Sequence, residues 1–139
     1  MLVGIDWGGT KIEVVAMTPA GTELFRERED TPRGDYGACM SVMARLAELV
    51  EREIVHFDRV GVGIPGSIDP PTGLGKGASS TWMIGQPVEQ DLREAFGGRA
   101  VRAVNDVDAL VGSEARDGAA MGYHFVFAAN LASGVGGGI

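Results

Sequence analysis

Residues 4–11 read Gly4-Ile5-Asp6-Trp7-Gly8-Gly9-Thr10-Lys11 and join two apolar runs, Leu2–Ile5 and Ile12–Met17. The pattern predicts a β-hairpin whose tip carries a carboxylate, backbone amides, a hydroxyl and an ammonium group. Glycines allow positive φ and place no Cβ between backbone N–H groups and an anion. An ordinary hairpin turn would also use two glycines, so this alternative stays open at this point.

The polar groups of this turn suit a nucleotide phosphate that carries a metal ion. Thr10 and Lys11 supply a hydroxyl donor and a point charge for phosphate oxygens, beside the backbone of Gly8 and Gly9. Asp6 would repel a phosphate unless a cation such as Mg²⁺ lay between them. An ordinary turn needs none of these side chains, which favours the phosphate site.

The hydrophobic pattern predicts an α/β fold in which three antiparallel strands precede alternating helices and strands. A mixed sheet flanked by helices is the natural arrangement for this order. A long loop, 65–87, interrupts the pattern. Loops of this length in a compact domain are usually functional or disordered, and the apolar residues of this loop argue against disorder. The predicted strands are Leu2–Asp6, Lys11–Thr18, Glu23–Glu29, Phe57–Ile64, Ala100–Val104 and Tyr123–Leu131, and the predicted helices are Tyr36–Glu53, Val88–Phe96 and Asn105–Met121.

Composition excludes several function classes. The chain has 139 residues, 45% of them hydrophobic, which is enough for one domain with a core. A net charge of -7 argues against nucleic-acid binding, which needs clustered Lys and Arg. Cys39 is the single cysteine, so no intrachain disulfide forms, and we expect a buried thiol. The sequence shows no signal peptide or membrane-length apolar run, so we expect a cytoplasmic protein.

Two further polar loops follow predicted strands. In the first, residues 63–69, Pro65 stiffens the strand exit and Gly66 exposes its backbone, although a plain proline turn would look the same. In the second, Asn105 could cap a helix, with Asp106 and Asp108 favourable near its positive end. Asp106 could instead act as a general base toward a substrate hydroxyl, a role typically worth about 10²–10⁴-fold in rate. Neither alternative is excluded by these residues alone.

The last polar loop, residues 132–138, is Ala132-Ser133-Gly134-Val135-Gly136-Gly137-Gly138. It follows a predicted strand and offers backbone amides that could hold a phosphate. A glycine run could also be a flexible tail. The joint occurrence and order of all four loops carry more information than any one of them.

Taken together, the four loops resemble the motifs of the ROK family of bacterial sugar kinases, within the actin and hexokinase superfamily. Asp6-Trp7-Gly8-Gly9-Thr10-Lys11 matches the first phosphate motif, and Gly63-Ile64-Pro65-Gly66 matches the G-I-P-G loop. Asn105-Asp106 matches the pair that holds the catalytic base, and residues 133–138 resemble the second phosphate loop. The resemblance extends over essentially the whole chain and implies a ribonuclease H-like fold.

The resemblance implies ATP, Mg²⁺ and a hexose as ligands, and phosphoryl transfer as the reaction. Asp6 would hold Mg²⁺ through water, and Asp106 would deprotonate a sugar hydroxyl. Where the family often has a sugar-contacting asparagine, this chain has Ser79, with Trp82 kept three residues later. The implied phosphate-binding residues are Asp6, Gly8, Gly9, Thr10, Lys11, Ser133, Gly134 and Gly136, and the implied substrate-binding residues are Gly66, Ser79, Asn105 and Asp106.

The resemblance also implies a second lobe that would complete the adenine and sugar sites. We expect residues 1–121 to form the N-terminal lobe and residues 122–139 to be the first strand and phosphate loop of a truncated second lobe. An unpaired apolar strand at 123–131 invites pairing with another chain, so we expect a homodimer or a disordered tail. The alternatives are a catalytically silent half-domain and a sugar-responsive regulator. The regulator is less favoured because the chain is acidic.

Overall fold

A computed structural model describes residues 1–54, 56–131 and 135–139, and it shows an α/β fold around a five-stranded mixed sheet. A single 3₁₀ turn, Thr81–Met83, lies in the long loop. The strands are β1 (Leu2–Trp7), β2 (Lys11–Met17), β3 (Glu23–Asp30), β4 (Arg59–Ile64), β5 (Ser67–Ile68), β6 (Gly75–Lys76), β7 (Ala100–Asn105), β8 (Ala128–Leu131) and β9 (Val135–Gly138), and the helices are α1 (Tyr36–Glu53), α2 (Val88–Ala95) and α3 (Asp106–Asp117).

The large sheet has the strand order β3-β2-β1-β4-β7. β1, β2 and β3 form an antiparallel meander, whereas β4 and β7 run parallel to β1. Parallel neighbours need crossover connections, and α1 and α2 lie in the two connections. The predicted α/β fold, with three antiparallel strands before the alternating elements, is confirmed.

The two faces of the sheet differ because its strands alternate apolar and polar side chains. Val3, Ile5 and Trp7 of β1 are buried on the face that belongs to the main core. Helix α1 contributes a buried stripe to the same core, and Asp35 caps its first turn by accepting from the Ala38 amide at 2.9 Å. The opposite face carries Asp6 and is open to a cleft.

Helix α3 is shorter than the sequence predicted. The prediction extended to Met121, but the helix ends at Asp117, with Gly118 in an extended conformation. The Glu114 side chain accepts a hydrogen bond from the Ala119 amide at 2.7 Å, which draws the chain out of the helix. Residues 118–127 then run through turns, bends and irregular backbone.

The predicted strand Tyr123–Leu131 is reduced to the four residues of β8. The reason is pairing: β8 has a partner, β9, in the register Ala128↔Gly138 to Leu131↔Val135. Tyr123 and Phe125, which lie before the paired residues, are more than 70% exposed. Part of the predicted glycine loop is therefore a strand.

In the part of the chain that the structure describes, no helix combines the length and the apolar character needed to cross a membrane.

Candidate active site

The ends of three parallel strands bring the predicted acidic residues together. In the register of the sheet, Asp6 of β1 pairs with Gly63 of β4, and Gly63 pairs with Val104 of β7. A Cβ at Gly63 would lie 3.7 Å from Asp6 Oδ1 and 3.6 Å from Asp106 Cα. The missing side chain therefore leaves a gap between the two carboxylate residues.

This gap opens into a cleft of about 870 Å³. Its lining also includes Glu13 and, beyond Asp106, further residues of α3 that the sequence did not point to. The structure does not bring Lys11 to the cleft, because its ammonium group pairs with Asp30. Ser133 and Gly134 lie outside the described residues. The predicted site residues that line the cleft are Asp6, Gly8, Gly9, Thr10, Gly66, Ser79, Asn105, Asp106 and Gly136.

The turn formed by Asp6–Lys11, here called the 6–11 turn, differs in detail from the prediction. Neither Gly8 nor Gly9 has a positive φ. The Gly8 amide is not free, because it donates to the Lys11 carbonyl at 2.9 Å. Gly8 is required for a different reason: a Cβ there would lie 2.9 Å from the Lys11 carbonyl oxygen. Among the described residues none accepts a hydrogen bond from the Gly9 or Thr10 amide.

Thr31 and Arg33 hold the 6–11 turn by donating hydrogen bonds to its carbonyl groups. The buried Thr31 hydroxyl donates to the Gly8 carbonyl at 2.8 Å, and the Thr31 amide donates to the Thr10 carbonyl at 3.0 Å. Arg33 Nε donates to the Gly9 carbonyl at 3.0 Å. With these oxygens occupied, the turn can offer its Gly9 and Thr10 amides to an anion. Thr31 and Arg33 could not be predicted from the sequence, because their role depends on contacts more than 20 residues away.

Asn105 and Asp106 begin helix α3. The Asn105 side-chain oxygen accepts from the amides of Val107 and Asp108, at 3.0 and 3.3 Å, so the capping interpretation is confirmed. Asn105 Nδ2 also donates to the Gly66 carbonyl at 2.9 Å, which ties the helix start to the neighbouring loop. Asp106 Oδ1 accepts from the Val107 amide at 2.9 Å. Asp106 Oδ2 has no hydrogen-bond partner in the described ranges.

Gly66 is enclosed by the segment of residues 77–84, here called the 77–84 segment, and by the strand before it. A Cβ at Gly66 would lie 2.7 Å from Met83 Cε, 2.8 Å from Ala78 Cβ and 2.9 Å from the Lys76 carbonyl oxygen. The predicted exposed backbone at Gly66 is therefore a site of close packing. This packing places the exposed Ser79 at the cleft.

Strand β9 packs its glycines against the start of α3. A Cβ at Gly136 would lie 2.8 Å from Val107 Cγ2, and one at Gly138 would lie 2.8 Å from Asp108 Oδ1. Gly137 faces the Phe127 ring, with 3.2 Å between a built Cβ and that ring. These residues need glycine for close approach, which the prediction of a phosphate loop did not include.

The charges in the cleft favour a bound cation. Partial burial, followed by the negative charges of Asp106 and Glu13, raises the pKa of Asp6 above its ordinary value. A divalent cation would relieve this repulsion. Among the described residues no group of three His, Cys, Asp or Glu could hold a metal by itself. Asp6 alone still suits Mg²⁺, which typically binds one or two carboxylates together with water and substrate phosphates.

The raised pKa of Asp6 predicts that Asp6→Asn stabilises the ligand-free chain at neutral pH. The folded state holds the Asp6 proton more tightly than the unfolded state, so stability falls as pH rises from 3.8 through the raised value. We expect a gain of about 0.5 kcal/mol at pH 7, since solvent in the cleft screens the charges. Urea unfolding of the wild type and of Asp6→Asn between pH 4 and 8 measures this difference in the free energy of unfolding. A gain that stays the same at pH 4 would contradict this origin.

The chain is similar in sequence and in fold to several sugar kinases. The N-acetyl-D-glucosamine kinase of Mannheimia succiniciproducens is 34% identical over all 139 residues, which span 45% of that relative. The inorganic polyphosphate/ATP-glucomannokinase of Arthrobacter sp. strain KM superposes with a TM-score of 0.86 at 29% identity, covering 98% of this chain and 56% of that one. The ROK family glucokinase of Streptomyces griseus, in complex with glucose and AMPPNP, shares the fold at 24% identity (TM-score 0.87; 98% of this chain, 43% of that one).

The sheet order and the cleft define a fold of the actin and hexokinase type, as in these sugar kinases. The ROK family model matches residues 2–139, and the chain belongs to the ROK family. The chain spans about half the length of the curated relatives it matches.

Proposed function

We propose that the chain is the N-terminal lobe, residues 1–121 with the start of a second lobe at 122–139, of an ATP- and Mg²⁺-dependent hexose kinase. One observation carries this proposal: Asp6 and Asp106 flank the gap at Gly63, in a cleft that also holds the Gly9 and Thr10 amides. The relatives named as N-acetyl-D-glucosamine kinase and glucomannokinase support a hexose as the phosphoryl acceptor.

Each group has a defined part in this proposal. Asp106 accepts the proton of a sugar hydroxyl while that oxygen attacks the γ-phosphorus of ATP. The bond between the γ-phosphorus and the β–γ bridging oxygen breaks, and ADP leaves with the bonding electrons. The Gly9 and Thr10 amides bind phosphate oxygens. Asp6 would hold Mg²⁺ at this site, and the ion would supply neutralisation of phosphate charge when bound.

The other predicted site residues keep narrower roles in the proposal. Asn105 positions Asp106 and Gly66 through its three hydrogen bonds, and Ser79 offers a hydroxyl to the sugar. Lys11 can bind phosphate only if its ammonium group exchanges Asp30 for the ligand. Gly136 contributes backbone at the cleft, and Ser133 and Gly134 stay predictions. Three further statements stay predictions: that the protein is a homodimer, that it is cytoplasmic, and that it does not bind nucleic acid. The net charge of -7 supports the third.

A second candidate is a silent half-domain. It is favoured by the extent of the match, since the chain spans 45% of the Mannheimia succiniciproducens relative. In this case the chain folds and carries the site residues but does not turn over substrate by itself.

The experiment compares the chain alone with a completed kinase, in which Ile139 is followed by the remaining C-terminal part of that relative. ADP release is measured with Mg-ATP and N-acetylglucosamine, glucose, mannose or fructose, against a reaction without sugar. We expect hexose-dependent ADP release from the completed kinase and little from the chain alone. A folded, ATP-binding completed kinase that shows no sugar-dependent release would contradict the proposed function.

A further inference from the structure

Two consecutive peptide groups of the 6–11 turn are each held by one residue of the segment that follows β3. The Thr31 hydroxyl donates to the Gly8 carbonyl at 2.8 Å. Arg33 Nε donates to the Gly9 carbonyl at 3.0 Å. Both peptide groups are trans, so the N–H of each points away from the carbonyl that is held. Thr31 therefore sets the direction of the Gly9 amide, and Arg33 sets the direction of the Thr10 amide.

The two residues differ in their other contacts. Thr31 is buried, and its own amide also donates to the Thr10 carbonyl at 3.0 Å. Arg33 is exposed, and within the described ranges its side chain makes only this one hydrogen bond and no ion pair. A charged donor polarises the peptide group that it contacts, and the N–H on the opposite side becomes a better donor to an anion. The contact of Arg33 is therefore directed at the turn alone.

A tight turn of residues 32–35 fixes the backbone on which Arg33 lies. The Asp35 amide donates to the Pro32 carbonyl at 3.2 Å, and the same carbonyl accepts from the Cys39 thiol, which is buried as the sequence predicted. Gly34, the third residue of this turn, has a φ of 80°. A residue with a Cβ adopts such a φ only with strain, although a Cβ at Gly34 would meet no atom within 4 Å. The backbone of Arg33 is thus set independently of the contact that its side chain makes.

We propose that Arg33 is a positioning residue: the turn of residues 32–35 places its guanidinium on the Gly9 carbonyl, and this contact aims and polarises the Thr10 amide toward an anionic ligand. The proposal rests on the proposed function only for the identity of that anion, the phosphate chain of a magnesium nucleotide. The contact of Arg33 with the peptide group is a property of the ligand-free chain.

NMR of the ligand-free chain tests the contact. We expect Arg33→Met to move the carbonyl-carbon resonance of Gly9 and the amide-nitrogen resonance of Thr10, because both atoms belong to the peptide group that Arg33 contacts. Arg28→Met is the matched control, since it removes the same charge from an exposed arginine of β3 that does not line the cleft. Resonances that stay in place in Arg33→Met, or that move equally in Arg28→Met, would overturn the proposal.

Gly34→Ala tests the part of the turn without altering the arginine itself. Its matched control is Gly21→Ala, because Gly21 has a φ of 86° and a Cβ there would also meet no atom within 4 Å. Both substitutions should lower the urea midpoint by similar amounts, since the strain is similar. Only Gly34→Ala should move the resonances of Gly9 and Thr10 that Arg33→Met moves. Unmoved resonances in Gly34→Ala, or equal movement in Gly21→Ala, would show that the turn does not place Arg33.

Titration with Mg-AMPPNP measures the effect on an anion. Arg33→Met should weaken binding by about three- to tenfold, the usual contribution of one hydrogen bond, and Arg28→Met by less than about twofold. Wild-type affinity in Arg33→Met, or equal weakening in both variants, would overturn the role of the contact. No binding by the wild type would instead contradict the proposed function and the anion-directed part of this proposal together, whereas the ligand-free resonances would still decide whether Arg33 sets the peptide group.

Discussion

Replacing Asp106 with asparagine is expected to lower kcat of the completed kinase by about 10²–10⁴-fold, the usual range for a positioned general base. Asparagine has nearly the same shape and can still accept from the Val107 amide, as Asp106 Oδ1 does at 2.9 Å. It cannot take the proton of a sugar hydroxyl. We therefore expect the affinity for hexose to change little, and steady-state ADP release with separate sugar-binding titrations to measure both quantities.

Asp108→Asn is the matched control for this prediction. Asp108 lies in the same first turn of α3, so its loss changes the interaction with the helix dipole to a similar extent. It does not line the cleft. We expect kcat of Asp108→Asn within about threefold of the wild-type value, since it removes one charge from an exposed side chain outside the cleft. Equal losses in the two variants would show that helix stability, not proton transfer, explains the effect.

Gly66→Ala is expected to destabilise the chain by about 1–3 kcal/mol, the range for overpacking a filled site. The added methyl would approach Met83 Cε, Ala78 Cβ and the Lys76 carbonyl within 2.9 Å. Met83 can move its end group, but the other two atoms belong to the backbone or are bonded directly to it. Relief then requires the 77–84 segment to shift, which would also displace the Gly66 carbonyl from Asn105 Nδ2. Urea unfolding followed by tryptophan fluorescence measures the loss.

Gly61→Ala controls for the general effect of replacing a glycine in this sheet. Gly61 also lines the cleft, but a Cβ there would meet no atom within 4 Å. Its conformation suits any residue, so alanine should be neutral or stabilising by about 0.4–1 kcal/mol through the unfolded state. If Gly66→Ala were as stable as Gly61→Ala, the close packing around Gly66 would be contradicted.

Much of the fold could be predicted because it depends on local patterns. The alternation in β1 and β2 and the apolar stripe of α1 each follow from neighbouring residues, and the predicted helix Tyr36–Glu53 has the observed bounds. The sequence placed Asp6 and Asp106 in one site only through the resemblance to sugar kinases, and the structure supplies the reason: parallel strands align their ends at one edge of a sheet.

The parts that could not be predicted depend on distant contacts. Nothing near Thr31 indicates that it holds the 6–11 turn, and nothing near Lys11 indicates its pairing with Asp30. The strand at 123–131 was predicted too long because its apolar character is local, whereas strand formation requires a partner, and β9 pairs with four of its residues. The glycines at 136–138 suggested a phosphate loop or a flexible tail, but packing against α3 and Phe127 also requires them.

The proposed function requires the 6–11 turn to bind the phosphates of a magnesium nucleotide. Its direct test is an NMR titration of the chain with AMPPNP, with and without Mg²⁺, in the wild type and in Asp6→Asn. We expect shifts at the Gly9 and Thr10 amides that require Mg²⁺ in the wild type and are strongly reduced in Asp6→Asn. Nucleotide binding that leaves both amides unshifted, or that is equally strong in Asp6→Asn, would contradict it.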